Sequence, residues 1–276
     1  MNLQFRRRLR GPLALAVIVW AGSKVDYGCL APAVALVDAF RRQGVEISTA
    51  LARGPMGLEK RAHIEALSRE PEIAEQWQAA HGYPMQPADV DALYETFNLL
   101  LLDVLERYSK LIPGTLEAMD ALEEMDIRVA AWTGYPVEAM EKVREAAARQ
   151  GYKPEFTISA NQVAAGRPAP WMIYHAMEAL SVYPPETVVA VGDTVPDVEA
   201  GRNAGVWTVA VAQTGNEVGL SQEDFEELHP EEQANRRERA REILRSAGAH
   251  IVIDGIWELP AALEKINSHI EQGDKP

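Results

Sequence analysis

The second half of the chain alternates two kinds of apolar pattern so regularly that few folds remain open to it. A helical pattern at Thr115–Met125 leads to a strand pattern at Arg128–Trp132, a helix at Val137–Gln150 and a short strand at Phe156–Ser159. A helix at Trp171–Leu180, a strand at Val188–Val191, a helix at Pro196–Ala204 and a strand at Thr208–Ala212 follow. This alternation predicts an α/β fold, a parallel sheet with helices crossing over both faces. Near the N-terminus the Val/Ile-rich run Leu13–Trp20 reads as another strand, covered on both faces. Ligands of such sheets sit beyond the carboxyl ends of the strands.

Between that first strand and Thr115 the pattern changes. From about Ala31 to Tyr108 it reads as helices only: Pro32–Gln43, Gly57–Ser68, Glu70–His81 and Pro87–Tyr108. Turn chemistry falls between them at Gly44, Gly54-Pro55, Gly82-Tyr83-Pro84 and Pro113-Gly114. A helical block inserted after the first strand of a parallel sheet predicts a cap over the sheet's active edge, which would exclude water and supply substrate contacts. The expected division is residues 1–28 and 112–276 for the α/β core and residues 29–111 for the cap. The charge-rich run from Gln222 to Arg245 reads as a solvated helix.

Charge and cysteine content narrow the function. A formal net charge of −14 over 276 residues argues against a nucleic-acid binder, which needs a basic face. Cys29 is the only cysteine, so no internal disulfide forms, and a reducing, cytoplasmic setting is the expectation. Arg6, Arg7, Arg8 and Arg10 ahead of the apolar run also resemble the start of an export signal. The strand reading is preferred because the residues that follow belong to a site. No stretch approaches membrane-spanning length, so no membrane partner is expected.

Several short motifs fall at predicted strand ends. In Val191-Gly192-Asp193-Thr194-Val195-Pro196-Asp197, two carboxylates four residues apart open a helix. They suit a Mg²⁺ site, one binding directly and one in support, or equally a tight turn with Asp197 as an N-terminal helix charge. Gly201-Arg202-Asn203-Ala204-Gly205 ends that helix with a glycine. Thr133-Gly134-Tyr135 offers a hydroxyl and backbone N–H groups to an oxyanion, or forms a simple turn. Arg167, between Gly166 and Pro168, offers a permanent positive charge that would anchor a phosphonate, or lies in solvent.

Taken with Trp20-Ala21-Gly22-Ser23-Lys24-Val25-Asp26-Tyr27-Gly28-Cys29 and Met56-Gly57-Leu58-Glu59-Lys60-Arg61-Ala62-His63, these motifs closely resemble the phosphonoacetaldehyde hydrolase family in order and spacing, from the first strand to about Ile253. The resemblance implies a haloacid dehalogenase-type, Rossmann-like sheet with a helical cap, a homodimer, and cleavage of phosphonoacetaldehyde to acetaldehyde and phosphate. It implies that Lys60 condenses with the aldehyde to an imine, which draws electrons from the carbon–phosphorus bond. Such an amine must be partly neutral. His63, one helical turn away, would stand as a proton shuttle. The resemblance also places Cys29, Met56 and Tyr135 in the substrate pocket, with Thr133, Gly134 and Arg167 on the phosphonate. Asp193, the Ala21 carbonyl and, in support, Asp197 would hold Mg²⁺.

The chain departs from the family at one decisive position. The aspartate that attacks phosphorus and binds Mg²⁺ stands immediately before the tryptophan in the family; here Val19 precedes Trp20. Losing a covalent nucleophile costs on the order of 10⁴–10⁶ in rate. Lys24 replaces a second threonine of the family, and a charged Lys24 beside the neutral Val19 would give the same single positive charge as the aspartate with its Mg²⁺. On that count Lys24 faces the pocket as a substrate-binding residue, or points into solvent. Mg²⁺ is then expected to bind weakly or not at all. Three functions stay open: an impaired hydrolase of phosphonoacetaldehyde, a metal-independent lysine-imine lyase or aldolase-like enzyme, and a non-catalytic relative that binds a phosphonate or phosphorylated aldehyde.

Overall fold

The structure, a computed structural model, describes residues 11–276, so the arginine-rich segment at residues 6–10 lies outside the described residues. In chain order β1 (Leu15–Val19) leads into five helices, α1 (Leu30–Arg41), α2 (Thr49–Arg53), α3 (Lys60–Leu67), α4 (Pro71–His81) and α5 (Pro87–Tyr108). Then come α6 (Thr115–Glu124), β2 (Arg128–Thr133), α7 (Val137–Arg149), β3 (Phe156–Ser159), α8 (Trp171–Ala179), β4 (Val188–Gly192), α9 (Val195–Ala204) and β5 (Trp207–Val211). The chain closes with α10 (Gln222–Glu226), α11 (Pro230–Ser246), β6 (Ile251–Ile253) and α12 (Leu259–Gln272).

The strands form one parallel sheet in the order β3-β2-β1-β4-β5-β6. All five residues of β1 are buried, as a strand with helices on both faces requires. Alternate side chains serve the two faces. Ala16 and Ile18 join α6 and α12, whereas Leu15, Val17 and Val19 join α8 and the end of α9. Each fully buried Val, Leu or Ile contributes roughly 1.5–3 kcal/mol, so β1 is a major stabilising element. Register sets the functional edge. Val19 pairs with Trp132 and Ile18 with Val191, so β1, β2 and β4 end together and bring Val19, Thr133 and Asp193 to one rim.

The inserted helices leave and rejoin the sheet side by side. An isolated bridge joins Val25 to Leu111, and Ile112 N–H donates to the Lys24 carbonyl over 2.8 Å. The apolar interior of α1, α3, α4 and α5 is continuous with Trp20, Ala131, Tyr135 and the inner face of α7.

Differences from the sequence reading have local causes. Helix α1 starts at Leu30, two residues earlier than expected, because Asp26 caps it from outside. The Asp26 carboxylate accepts from Leu30 N–H and Ala31 N–H, each over 2.9 Å. Ser48 caps the unforeseen α2 by accepting from Leu51 N–H over 3.1 Å. The charge-rich run after Ser221 is two helices rather than one, broken where Pro230 takes the first turn of α11.

Candidate active site

A small cavity, about 30 Å³, lies between the sheet's carboxyl edge and the inserted helices. Val19 and Ala21 at the end of β1, Thr133, Gly134 and Tyr135 after β2, Arg167 after β3 and Asp193 after β4 form its floor. Cys29, Met56 and Lys60 close it from the helical side. The fold therefore gathers residues up to 174 positions apart in sequence, from Val19 to Asp193, around one space. A larger open depression of about 500 Å³ lies at the opposite end of β2, around Asp120, Glu123 and Asp126, remote from all of these residues.

Lys60 begins α3, whose first turn is capped by the Glu59 carboxylate. Its amine is buried, and its hydrogen-bond partner among the described residues is the Met56 sulfur, at 3.4 Å. Burial, with the Arg167 charge adding to it and Cys29 opposing, lowers its pKa to about 8. About a tenth of Lys60 is thus the nucleophilic free amine at pH 7, far more than for an ordinary lysine. Gly57 makes the approach possible. Its φ is +96°, and a Cβ there would collide with Thr194 Oγ1, so only glycine lets the Met56–Lys60 turn settle on the core.

Arg167 and Thr133 are held from behind. Arg167 pairs with Asp197, and its guanidinium stands 5.3 Å over the Trp132 ring. Thr133 Oγ1 accepts from Tyr135 N–H over 3.1 Å, which shapes the turn after β2. The Tyr135 hydroxyl is buried with no hydrogen-bond partner among the described residues, and burial raises the pKa values of Tyr135 and Cys29. Both wall groups are therefore neutral donors.

The oxygens near β4 are a poor set for Mg²⁺. Asp197 gives one oxygen to Arg167 and the other to Asp193 N–H, Thr194 N–H and Thr194 Oγ1, at 3.1, 3.0 and 2.6 Å. Asp193 Oδ2 accepts from Asn216 N–H over 2.9 Å. Where β1 would contribute a second carboxylate, Val19 presents methyl groups. One carboxylate and the Ala21 carbonyl do not fit an ion that dehydrates reluctantly and asks for octahedral oxygens.

Two expectations need correction. Lys24 does not face the cavity. Its amine lies beneath the site loop, donating to the Ile18 carbonyl and the Tyr152 hydroxyl, each over 3.0 Å. It stands 4.6 Å and 5.0 Å from the ring centres of Trp20 and Tyr152, with no carboxylate among these partners. Burial pushes its pKa well below 10.5, so it does not supply the positive charge expected of it at the cavity. His63 shares the buried face of α3 with Lys60, but its Nε2 lies 2.9 Å from the Ala52 carbonyl. Burial, then the Lys60 charge, lowers its pKa to about 3. It is a neutral tether between α3 and α2 rather than a proton carrier at the cavity wall.

Burial of Lys24 predicts a pH effect. Between its lowered folded pKa and its unfolded value of 10.5, the unfolded chain binds more protons, so this residue's contribution to stability improves as pH rises. In urea unfolding, the stability of Lys24→Met relative to the unmodified protein is expected to fall as pH goes from 7 to 10. A flat difference would show that Lys24 is held charged.

With that geometry in place, comparison with known proteins identifies the chain. Residues 27–205 match the haloacid dehalogenase-like hydrolase family model, a stretch that begins beyond Val19. A phosphonoacetaldehyde hydrolase of Nitratidesulfovibrio vulgaris is 41% identical over 96% of this chain and 95% of the relative. A phosphonoacetaldehyde hydrolase-like protein of Syntrophobacter fumaroxidans is 39% identical over 97% of this chain and 96% of its own. The crystal structure of a phosphonoacetaldehyde hydrolase-like protein from Oleispira antarctica superposes with a TM-score of 0.97 at 36% identity, each chain covered completely. The chain belongs to the haloacid dehalogenase-like hydrolases, and within them to the family of the phosphonoacetaldehyde hydrolases.

The sequence reading missed contributors without a chemical signature. Asn216 lies in the loop after β5, and only its place beyond a strand's carboxyl end pointed to the site. Tyr152, which fixes Lys24, follows α7 and gave no signal.

Proposed function

We propose that this protein binds a small aldehyde bearing a phosphonate or phosphate group as an imine on Lys60, and that the family's covalent route to phosphate is disabled at Val19. The observation that carries this reading is the buried Lys60 amine, its pKa lowered to about 8, in one cavity with Thr133 and Arg167. Attack of the amine on the carbonyl carbon gives a carbinolamine, and loss of water gives the imine. Arg167, the Thr133 hydroxyl and the N–H groups after β2 would orient the anionic head. Breaking the carbon–phosphorus bond requires an acceptor for the phosphoryl group, and Val19 has no atom that can accept it. Hydrolysis would then fall to water, at a rate far below that of a nucleophile-bearing relative.

The poor donor set for Mg²⁺ favours a second reading, a metal-independent lyase that uses the imine as electron sink without transferring phosphoryl. Incubation with phosphonoacetaldehyde, with and without Mg²⁺, separates the possibilities. Slow phosphate and acetaldehyde release independent of Mg²⁺ is the expected result. Rapid Mg²⁺-dependent release would overturn the impairment, and imine formation without any product would mark a non-catalytic binder. A homodimer belongs to the same proposal, as does a reducing, cytoplasmic setting, which the single free Cys29 supports.

A further inference from the structure

The corner of the helical insertion that carries Met56 and Lys60 is pinned to the core by the Arg53 side chain. Arg53 ends α2, and its Nη1 donates to Asn216 Oδ1 over 3.0 Å. Asn216 N–H in turn donates to Asp193 Oδ2 over 2.9 Å. On the other side, the Arg53 carbonyl accepts from Met56 N–H over 2.9 Å, and the Met56 sulfur meets the Lys60 amine at 3.4 Å. The carbonyl of the neighbouring Ala52 holds His63. A short chain of contacts therefore runs from Asp193 on the floor, through Asn216 and Arg53, to Lys60 on the roof.

The core is shaped to receive this guanidinium. Gly219 has φ +66°, and a Cβ there would lie 2.9 Å from Arg53 Cζ and Nε. A side chain at that position would press on the guanidinium and force it to shift, and the positive φ itself favours glycine. Seating is incomplete, however. Arg53 Nε and Nη2 are buried without a partner among the described residues, so closure strands two donors that water would satisfy in an open form. The Asn216 bond favours the closed position and the stranded donors oppose it, which suits a contact that opens to widen a cavity of only about 30 Å³ for an entering molecule.

We propose that Arg53 is a positioning residue, the latch that holds the insertion shut over the cavity and sets Lys60 against the core through Asn216. Such a latch operates whatever the substrate and whether or not an imine forms, and its test uses neither.

The reporter is Cys29, the only cysteine, buried in the cavity with its thiol pKa raised. Its alkylation by iodoacetamide, followed by intact mass at pH 8.5 in the ligand-free protein, measures opening. Arg53→Met is expected to speed labelling roughly tenfold or more, in keeping with loss of a charged hydrogen bond. Arg53→Lys should restore much of the slow rate. Asn216→Ala, which breaks the same bond from the core side, should speed labelling to a similar extent, and the double variant should add little to either change. Far-UV circular dichroism and the urea midpoint of Asn216→Ala exclude global unfolding as the cause. Labelling of both Arg53→Met and Asn216→Ala within twofold of the unmodified protein would overturn the latch, as would additive effects in the double variant.

Discussion

Borohydride reduction in the presence of phosphonoacetaldehyde is expected to leave one covalent adduct, on Lys60, and Lys60→Arg is expected to abolish it. The size of the effect follows from the lowered pKa. At pH 7.5 an amine with a pKa of about 8 is roughly one quarter neutral, whereas an ordinary lysine is neutral about once in 800 molecules. Lys60 should therefore label on the order of 100-fold faster than a surface lysine. Its initial rate should climb with pH and level off just above 8, while surface lysines keep climbing to beyond 10. Peptide mass identifies the residue and Lys60→Arg keeps the positive charge. An unmodified protein that gives no adduct at Lys60, or a Lys60→Arg variant that labels as strongly in the cavity peptides, would sink the aldehyde-binding reading. The latch at Arg53 would be untouched by that failure, since thiol labelling of Cys29 needs no aldehyde.

What the sequence made legible depends on which physical signal each element emits. Hydrophobic period and strand–helix alternation located β1 to β5 and the long helices of the insertion within a few residues, because burial on two faces leaves an unbroken apolar run. Strand ends then drew Val19, Thr133 and Asp193 to one rim, as parallel register demands. Side-chain direction carries no such signal. Lys24 is five residues beyond Val19, in an irregular loop with no period to fix side-chain direction, and its amine turned to Ile18 and Tyr152 rather than into the cavity. His63 failed for a related reason. Spacing of three puts it on the buried face of Lys60, but one turn further along the helix, where the Ala52 carbonyl of α2 captures the ring. Arg53 and Asn216 work through a contact between two segments 163 residues apart, which no local pattern announces.

Val19→Asp is expected to restore what the retained site lacks, and it is the change that decides whether this chain is a disabled hydrolase. The Val19 side chain ends β1 at 4% exposure, packed in one apolar cluster with Val17, Trp132 and Ile158. A carboxylate placed there without a counter-ion should cost on the order of 1–3 kcal/mol or more, so the variant should melt below the unmodified protein in chelator. With Mg²⁺ present, the introduced carboxylate and that of Asp193 lie together beside the Ala21 carbonyl, and the melting temperature should recover as the ion binds. Phosphate release from phosphonoacetaldehyde should then rise by at least about 100-fold, a part of the 10⁴–10⁶ that loss of a covalent nucleophile removes. Lys24 would compete for the new carboxylate, because its amine already holds the Ile18 carbonyl next door. A carboxylate within reach would draw that amine back to its charged form and keep Mg²⁺ out. Lys24→Thr in the Val19→Asp background separates the two outcomes. If the double variant binds Mg²⁺ and releases phosphate where the single variant does neither, Lys24 is a second lock on the same step. If neither variant exceeds the unmodified protein in phosphate release while both bind Mg²⁺, the loss at Val19 is not what limits phosphoryl transfer, and the lysine-imine lyase becomes the better account of why Lys60 is kept reactive.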